Sequence, residues 1–476
     1  MWADFFYWII FLFYVGLVFS TMWVVVLENR QPAKTIAWLV VLTFMPVVGL
    51  VVFYFFGQSL HKERLISRHT YNILTDNMLS EMQSVPEHLI PGKYERLINM
   101  LLRKNQAVAS DGNEVEVLTS GRDYLQSLLR TIGNARHHIH IETYIVEDDA
   151  VGRLLRDALI DKVREGVEVR FLYDDVGCWK VRNAFFDSFV AGGIDLHPFL
   201  PVRFPSLTNK VNYRNHRKLC VIDGQVGYIG GMNFAMRYVS RRMPYWRDMQ
   251  LCIQGPAVGS LQRMFLADWC FVTGKELLHR HFFPLSLGGK ERGGKILLQI
   301  VSSNPVSVFP EIMYGLTCAI QNAQKYLYIQ TPYFLPTEPV LQALQTAAMS
   351  GVDVRLMLPQ KTDSFWLRWG NDSYLMDMLK AGVRVYFYTD GFLHSKMLVM
   401  DDDWCSVGSA NMDFRSFENN FEANAFVYDS LVAKTVKEEF LKDLCHSQEV
   451  LLNEWKLRPY KHRMLESITR ILSPLL

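Results

Sequence analysis

A chain of 476 residues has room for two to three domains of ordinary size, and at 50% hydrophobic and 13% aromatic it is rich for a freely soluble enzyme. Fifty basic residues face 48 acidic ones, so the formal charge is only +2 and no global field points to nucleic acid as a partner. The seven cysteines are scattered without a C-x-x-C pair, which argues against a zinc cluster or a disulfide framework and fits a reducing compartment.

Two uncharged apolar runs come first, residues 5–27 and 35–60, within a membrane-anchor segment 1–60. Each exceeds the roughly 20 residues that span a bilayer, so both are predicted as transmembrane helices. No basic stretch or small-residue cleavage site marks the first as a signal peptide. Lys62, Arg64 and Arg68 outnumber Arg30 and Lys34 of the intervening loop, which places the catalytic body on the cytoplasmic side. Residues 61–112 mix basic and apolar positions; Leu97, Ile98, Leu101 and Leu102 have helical spacing, and surface linker helices are predicted there.

The first catalytic half is expected over 113–285. A helix end runs into a strand over 135–144, an amphipathic helix covers 151–165, and a buried strand covers 166–173. After a glycine-rich, charged linker at 286–294, the half over 295–455 repeats that order: strand near 323–333, helix at about 338–350, strand at 351–358. Strands alternating with helices predict an α/β fold with a mostly parallel sheet in each half. The tail, 456–476, sets Lys461, Arg463 and Arg470 against Leu465, Ile468, Ile471 and Leu472, an amphipathic helix that either lies on a membrane or packs on the domain.

Each half contains one copy of a short motif. The first reads His216-Arg-Lys218-Leu-Cys-Val-Ile-Asp223 and the second His394-Ser-Lys396-Met-Leu-Val-Met-Asp401. Small-residue turns follow at the same distance, Gly230-Gly231-Met-Asn233 and Gly408-Ser409-Ala-Asn411. Residues two apart in an extended segment share a face, so His216 projects with Lys218 and His394 with Lys396. The runs 219–222 and 397–400 read as buried strands, and Asp223-Gly224 and 401–403 as turns into a returning strand. Such hairpins bring small turns and asparagine amides close to a phosphate, with lysine neutralising its charge and histidine left for chemistry. Phosphodiester exchange needs a nucleophile, a proton donor and positive charge, and two imidazoles can divide the first two roles.

Other polar clusters read differently. His137, His138 and His140 sit at a strand entry without converging carboxylates, so no metal site is predicted. Asp148-Asp149 and Asp174-Asp175 read as turn residues. Two basic, aromatic stretches flank the first motif, one from Arg203 through Lys210 to Arg214, the other holding Arg237, Tyr238, Arg241, Arg242, Tyr245, Trp246 and Arg247. They read as solvated loops or as capture sites for anionic lipid headgroups. Phe365-Trp366-Leu-Arg368-Trp369 reads as an interfacial element or as core.

The paired motifs resemble those of the phospholipase D superfamily, whose members typically carry two H-K-D copies, one per half, facing a single active site. Trp38, Pro46, Gly49, Tyr54 and Gly57 in the second apolar run, and the ending Ser473-Pro474-Leu475-Leu476, resemble the anchor and C-terminus of bacterial cardiolipin synthases. The resemblance covers nearly the whole chain. It implies two phospholipase D-like repeats behind a two-helix anchor in the bacterial cell membrane, acting on phosphatidylglycerol and other anionic phospholipids. The implied reaction is phosphatidyl transfer between two phosphatidylglycerols, giving cardiolipin and glycerol with no cofactor, nucleotide or metal.

By the same resemblance His216 is the nucleophile that forms a phosphatidyl-histidine, and His394 is the general acid and then the general base. Both motifs are complete, so the exchanged assignment stands open. Lys218, Lys396, Asn233 and Asn411 are implied to hold the phosphoryl oxygens. Asp248 and Glu422 follow their histidines at similar distances and match the family's orienting carboxylates, while Asp223 and Asp401 belong to the motif with a structural role expected. A membrane-anchored phospholipase D or other phosphodiesterase that uses water would carry the same motifs. A non-catalytic membrane scaffold would be expected to lose one copy. Acceptor lipid and oligomeric state are not legible in the sequence.

Overall fold

The computed structural model describes residues 2–27, 32–53, 90–202, 212–240, 245–275, 277, 280–284, 294–305, 307 and 309–473. The chain divides into two units, Met1–Arg68 with Val202–Asn212, and His69–Pro201 with Tyr213–Leu476.

In the first unit, helix Trp2–Leu27 contains a 24-residue apolar stretch, Asp4–Leu27, long enough to cross a bilayer. Large side chains such as Phe6, Phe13, Phe19 and Trp23 point outward on several sides of it, as a helix surrounded by lipid requires. The second apolar run departs from expectation. Its described part is two shorter helices, Pro32–Phe44 and Pro46–Val52, interrupted at Met45. Pro46 has no N–H to donate and its ring crowds the preceding turn, so one continuous helix over 35–60 is broken. Val25, Leu42 and Phe53 pack together, with Trp38 edge-on to Phe53. Arg30, Tyr54, Gly57, Lys62, Arg64 and Arg68 lie outside the described residues.

The second unit is an α/β body. Its first half supplies β1 (Ala109–Leu118), β2 (His138–Thr143), β3 (Glu168–Asp174), β4 (Asp195–Phe199), β5 (Leu219–Ile222), β6 (Val226–Gly230), β7 (Trp246–Arg247) and β8 (Gln250–Gln254). The second half supplies β9 (Ile296–Ser303), β10 (Tyr326–Gln330), β11 (Phe334–Leu335), β12 (Asp353–Pro359), β13 (Arg384–Tyr388), β14 (Phe392–Leu393), β15 (Met397–Met400), β16 (Trp404–Gly408), β17 (Met412–Asp413), β18 (Glu422–Tyr428) and β19 (Ser447–Val450). Fifteen of these form one sheet in the order β19-β13-β12-β10-β15-β16-β18-β9-β1-β8-β6-β5-β2-β3-β4.

The sheet is mixed rather than mostly parallel. Only β2-β3-β4 and β10-β12-β13 pair in parallel. Short turns join β5 to β6 and β15 to β16, and a short turn permits only antiparallel pairing. From the centre outward the halves repeat the same order, β1-β8-β6-β5-β2-β3-β4 against β9-β18-β16-β15-β10-β12-β13. They meet at the antiparallel pair β1–β9, so an approximate two-fold axis relates the two motif hairpins.

Helix Glu95–Asn105 is not a surface linker. Leu97, Ile98 and Leu101 are buried in the core of the second half with Leu316, Ile320 and Leu327. Just before it, Lys93 pairs with Asp401 at 2.7 Å and Tyr94 donates to Asp403. An apolar helical stripe says that something covers it and not which segment does. Of the linker 286–294, only Gly294 lies among the described residues.

Candidate active site

Both motif hairpins turn in the same way. Asp223 and Gly224 have φ of 52° and 62°, and Asp401 and Asp402 have φ of 54° and 60°, paired left-handed residues that open each three-residue turn. Each leading aspartate then caps the start of the neighbouring strand. Asp223 accepts the backbone N–H groups of Arg136, His137 and His138 at 2.8, 2.8 and 3.0 Å. Asp401 accepts those of Gln324, Lys325 and Tyr326 at 2.8, 2.8 and 3.1 Å. These two carboxylates hold the hairpins to β2 and β10, at the opposite end of β5 and β15 from the histidines.

At the histidine end the two halves exchange partners. The backbone N–H of His216 donates to Phe421 O at 2.9 Å, and that of His394 to Arg247 O at 2.8 Å. The residue after each acceptor is a carboxylate that reaches the imidazole. His216 Nδ1 lies 3.0 Å from both oxygens of Glu422, and His394 Nδ1 lies 2.7 Å from Asp248 Oδ2. Each carboxylate therefore orients the histidine of the other half and not the one it follows in sequence. The cause is the β1–β9 junction, which lays each motif against the opposite half. A carboxylate on Nδ1 holds the proton there and leaves Nε2 with its lone pair.

The surroundings fix these pairs. Ser409 donates to Glu422 Oε2. At the matching position Gly231 leaves room for Asp248, since a Cβ there would fall 2.3 Å from Oδ1. Tyr144 stands edge-on to His216 at 4.9 Å between ring centres, and Trp246 lies 4.8 Å from His394. Lys218 Nζ donates to His216 O at 2.6 Å. Lys396 Nζ donates to His394 O and lies 2.7 Å from His394 Nδ1.

Burial governs the protonation states. It pushes the His216 imidazole down to about 4 despite Glu422, and pushes His394 well below the ordinary histidine value, reinforced by Lys396 and Lys218. Both are neutral near pH 7. Burial drives Lys218 well below the usual lysine range and Lys396 to about 8. Burial raises Asp248 to about 6; it also opposes ionisation of Glu422, but His216 and Lys218 more than compensate and hold that carboxyl below its ordinary range.

The asparagines are partly engaged. Asn233 accepts from Ile145 N at 3.1 Å and donates to Tyr238 OH at 2.8 Å, and that hydroxyl lies 3.3 Å from His394 Nδ1. Asn411 donates its backbone N–H to Ser416 Oγ at 3.1 Å, and its side-chain Oδ1 is buried without a hydrogen-bond partner among the described residues.

Several residues have roles that the sequence did not disclose. Asp174 is no simple turn residue: it is buried and accepts the N–H groups of Asn215 and Gly177 at 2.8 Å, fixing the approach to His216. Arg217 pairs with Asp268 in full burial, while Arg247 binds Asp443 at 2.9 Å and Glu439 at 3.0 Å. Arg247 is thus a buried structural cation and not a headgroup ligand. Arg237 pairs with Glu147 and covers Trp246. Arg203, Lys210, Arg241 and Arg242 lie outside the described residues. His138 and His140 are core residues that share Gln262, with His140 stacked on Phe265. Tyr144, Tyr238, Trp246 and Ser409 also line the histidines; Tyr238 and Trp246 come from the basic, aromatic stretch after the first motif, and the recurrence of Thr-Tyr and Thr-x-Tyr before each helix was the signal for Tyr144.

The family model described as cardiolipin synthase, PLD-like domain, matches residues 128–269 and 316–444, and a phospholipase D-nuclease N-terminal model matches 8–58. A cardiolipin synthase of Geobacillus kaustophilus is 39% identical over 460 residues, 95% of this chain and 91% of that one. The major cardiolipin synthase ClsA of Bacillus subtilis is 39% identical over 480 residues, 98% of each chain. In fold, the chain is similar to a phosphatidylserine synthase from Haemophilus influenzae, with a TM-score of 0.63 at 15% identity, covering 80% of this chain and 100% of that one. The family model matches one segment in each of the two halves that meet at β1–β9, and the relatives match over nearly the whole chain: the chain belongs to the cardiolipin synthase family of phospholipase D-like enzymes.

Proposed function

We propose that the protein transfers a phosphatidyl group from one phosphatidylglycerol to the primary hydroxyl of another, giving cardiolipin and glycerol. The observation that carries this reading is the pair of neutral imidazoles, each held at Nδ1 by a carboxylate of the other half, with Lys218 and Lys396 beside them.

In the first step His216 Nε2 attacks phosphorus, the P–O bond to glycerol breaks, and His394 delivers a proton to the departing alkoxide. His394 enters that step protonated, because the bound phosphodiester's negative charge favours the imidazolium. In the second step His394 takes the proton of the incoming hydroxyl, whose oxygen displaces His216 and restores a phosphodiester. One phosphodiester replaces another, so the energy balance needs no nucleotide. Lys218, Lys396, Asn233 and Asn411 are the groups assigned to the phosphoryl oxygens, by charge and by position. His216 is favoured as the nucleophile because its carboxylate is the more firmly ionised of the two and faces it with both oxygens.

The test uses the purified, detergent-solubilised chain with phosphatidylglycerol as sole substrate and follows products by mass spectrometry. Cardiolipin with free glycerol, abolished by His216→Ala, is expected. Phosphatidic acid alone would make the protein a hydrolase.

The helix Trp2–Leu27 supports membrane association, the two apolar runs of the sequence support a multi-pass anchor, and the excess of basic residues after the second run supports a body in the cytoplasm. Cys445 is exposed on that body. A membrane-impermeant maleimide is expected to leave it unlabelled in intact cells and to label it after lysis; labelling in intact cells would reverse the orientation.

A further inference from the structure

The C-terminal helix Tyr460–Leu472 is built inside out. His462, Glu466, Thr469 and Ser473, spaced for one helical face, turn towards the body, where Glu466, Thr469 and Ser473 are buried. The opposite face leaves Tyr460, Met464, Ile468 and Ile471 exposed. A helix that only packed on its domain would do the reverse. Nearby in the same layer, helix Phe365–Ala381 exposes Phe365 and Trp366 at its first turn, while Trp369 one turn on is buried and 5.0 Å from His462.

Beneath this apolar surface lies a cavity of about 250 Å³, lined from both helices and from the short helix Leu452–Lys456. None of the motif residues lines it. Arg458 Nη2 donates to Glu466 Oε2 at 2.8 Å, but Trp369 Nε1, Trp455 Nε1, Arg458 Nε and Nη1, and Glu466 Oε1 are buried with no hydrogen-bond partner among the described residues. Glu466 and Trp369 are 7% and 8% exposed, so bulk water does not serve them. Buried polar atoms are costly unless they are paired, and five of them facing one space suit a polar ligand.

The chemistry of that ligand follows from the donors. Two indole N–H groups and the free edge of a guanidinium, with Arg368 also at the wall, ask for an anion with several acceptor oxygens. Glu466 and Asp372 ask for hydroxyl groups. Burial raises Glu466 to about 7 and Asp372 to about 6, so near neutrality Glu466 is only partly charged and offsets the two arginines incompletely. The volume falls below the roughly 300 Å³ at which sites for drug-sized molecules begin, which suits a headgroup and excludes acyl chains. The chains would lie along the exposed apolar face outside.

We propose that this cavity is a second lipid site, separate from the catalytic one, that holds the glycerophosphate headgroup of an anionic phospholipid while the apolar face of helix Tyr460–Leu472 rests in the bilayer. The identity of the lipid rests on the proposed function; the polar cavity and the exposed face do not.

The test is hydrogen exchange on the full chain carrying His216→Ala, in zwitterionic micelles, with short-chain phosphatidylglycerol, phosphatidylcholine of the same chain length, or glycerol 3-phosphate. Phosphatidylglycerol at ten times its dissociation constant is expected to slow locally opening amides of residues 452–472 by about tenfold. Equal slowing by phosphatidylcholine would reduce the site to apolar contact and overturn the headgroup assignment. Full slowing by glycerol 3-phosphate alone would make the ligand a soluble phosphate ester and overturn the lipid assignment. No slowing would overturn both. Trp455→Phe with Arg458→Gln is expected to abolish the slowing there while leaving the slowing that phosphatidylglycerol at the His394 motif gives residues 392–400. If that pair does not fold, Trp455→Phe alone keeps the ring that Arg458 covers and removes only the indole N–H; undiminished slowing in it would overturn the site. A protein that makes cardiolipin without this slowing loses the second site only. One that shows the slowing but yields only phosphatidic acid loses the transferase reading only.

Discussion

Glu422→Gln is the sharpest probe of the exchanged carboxylates. The substitution keeps the shape and removes the charge that faces His216 Nδ1 at 3.0 Å with both oxygens. A carboxylate–imidazole hydrogen bond contributes about 1.5–3 kcal/mol, and an amide N–H₂ turned to Nδ1 also favours the tautomer whose Nε2 carries the proton. Together about 4 kcal/mol is at stake, or roughly a thousandfold in the rate of the step that His216 performs. Asp248→Asn puts the same burden on His394, and both variants slow the natural reaction. A substrate whose leaving group needs no proton, phosphatidyl-p-nitrophenol, separates them. With it, rapid-quench measurement of the phosphatidyl-enzyme is expected to show near-normal formation in Asp248→Asn and a roughly thousandfold deficit in Glu422→Gln. The opposite pattern with the label mapped to His216 would refute the crossed pairing. The opposite pattern with the label on His394 would exchange the roles of the two histidines.

Three further outcomes follow from the geometry. The pH profile of kcat/KM is expected to fall below about 6, as Asp248 takes up a proton, and above about 8, as Lys396 loses one, and Lys396→Arg should carry the alkaline limb beyond about 10 whatever it does to the maximum. Asp223→Ala or Asp401→Ala removes the acceptor of three backbone N–H groups and should cost about 2–4 kcal/mol in denaturant unfolding of the body, with kcat per folded molecule little changed; a large loss of kcat at unchanged stability would make these residues catalytic. Arg247→Met strands the buried Asp443 and should destabilise by about 3–5 kcal/mol, read as a lowered unfolding midpoint, without loss of anionic-lipid binding.

The motif hairpins were legible because local chemistry dictates them. Two residues apart on a strand fixes His with Lys, and Asp-Gly or Asp-Asp before a returning apolar run fixes the turn. The repeat order was legible for the same reason. Partnership across the halves was not, since Asp248 and Glu422 follow His216 and His394 at similar spacings and sequence distance alone pairs each with its own. The pairing of the halves, at β1–β9, at β7–β14 and at the Asn215–Phe421 bridge, decides otherwise. Leu97, Ile98 and Leu101 misled in a related way: an amphipathic helix looks alike whether its stripe meets its own half or a remote one. Arg247 misled because a basic, aromatic run reads as surface until Asp443 and Glu439 are seen to enclose it. The break at Met45 was present in the sequence as Pro46, but hydropathy counts composition and ignores the missing N–H.

The exchange also determines what one half could do alone. Within the first half, His216 would lack both Glu422 at its ring and Phe421 O at its N–H, and Asp248 would be buried beside no histidine. The second half has the mirror deficit. Neither contains an imidazole with a fixed tautomer, and neither contains both an attacking group and a proton donor. On the proposed mechanism the catalytic unit is therefore the junction itself, and departures from two-fold symmetry divide the labour. Ser409 adds a hydrogen bond to Glu422 where Gly231 adds none to Asp248, and burial leaves Asp248 at about 6 while Glu422 stays below its ordinary range. On the proposed mechanism, the more firmly ionised carboxylate stabilises the imidazolium character that His216 would acquire on bonding to phosphorus. The more readily protonated one leaves His394 free to pass a proton out and take it back.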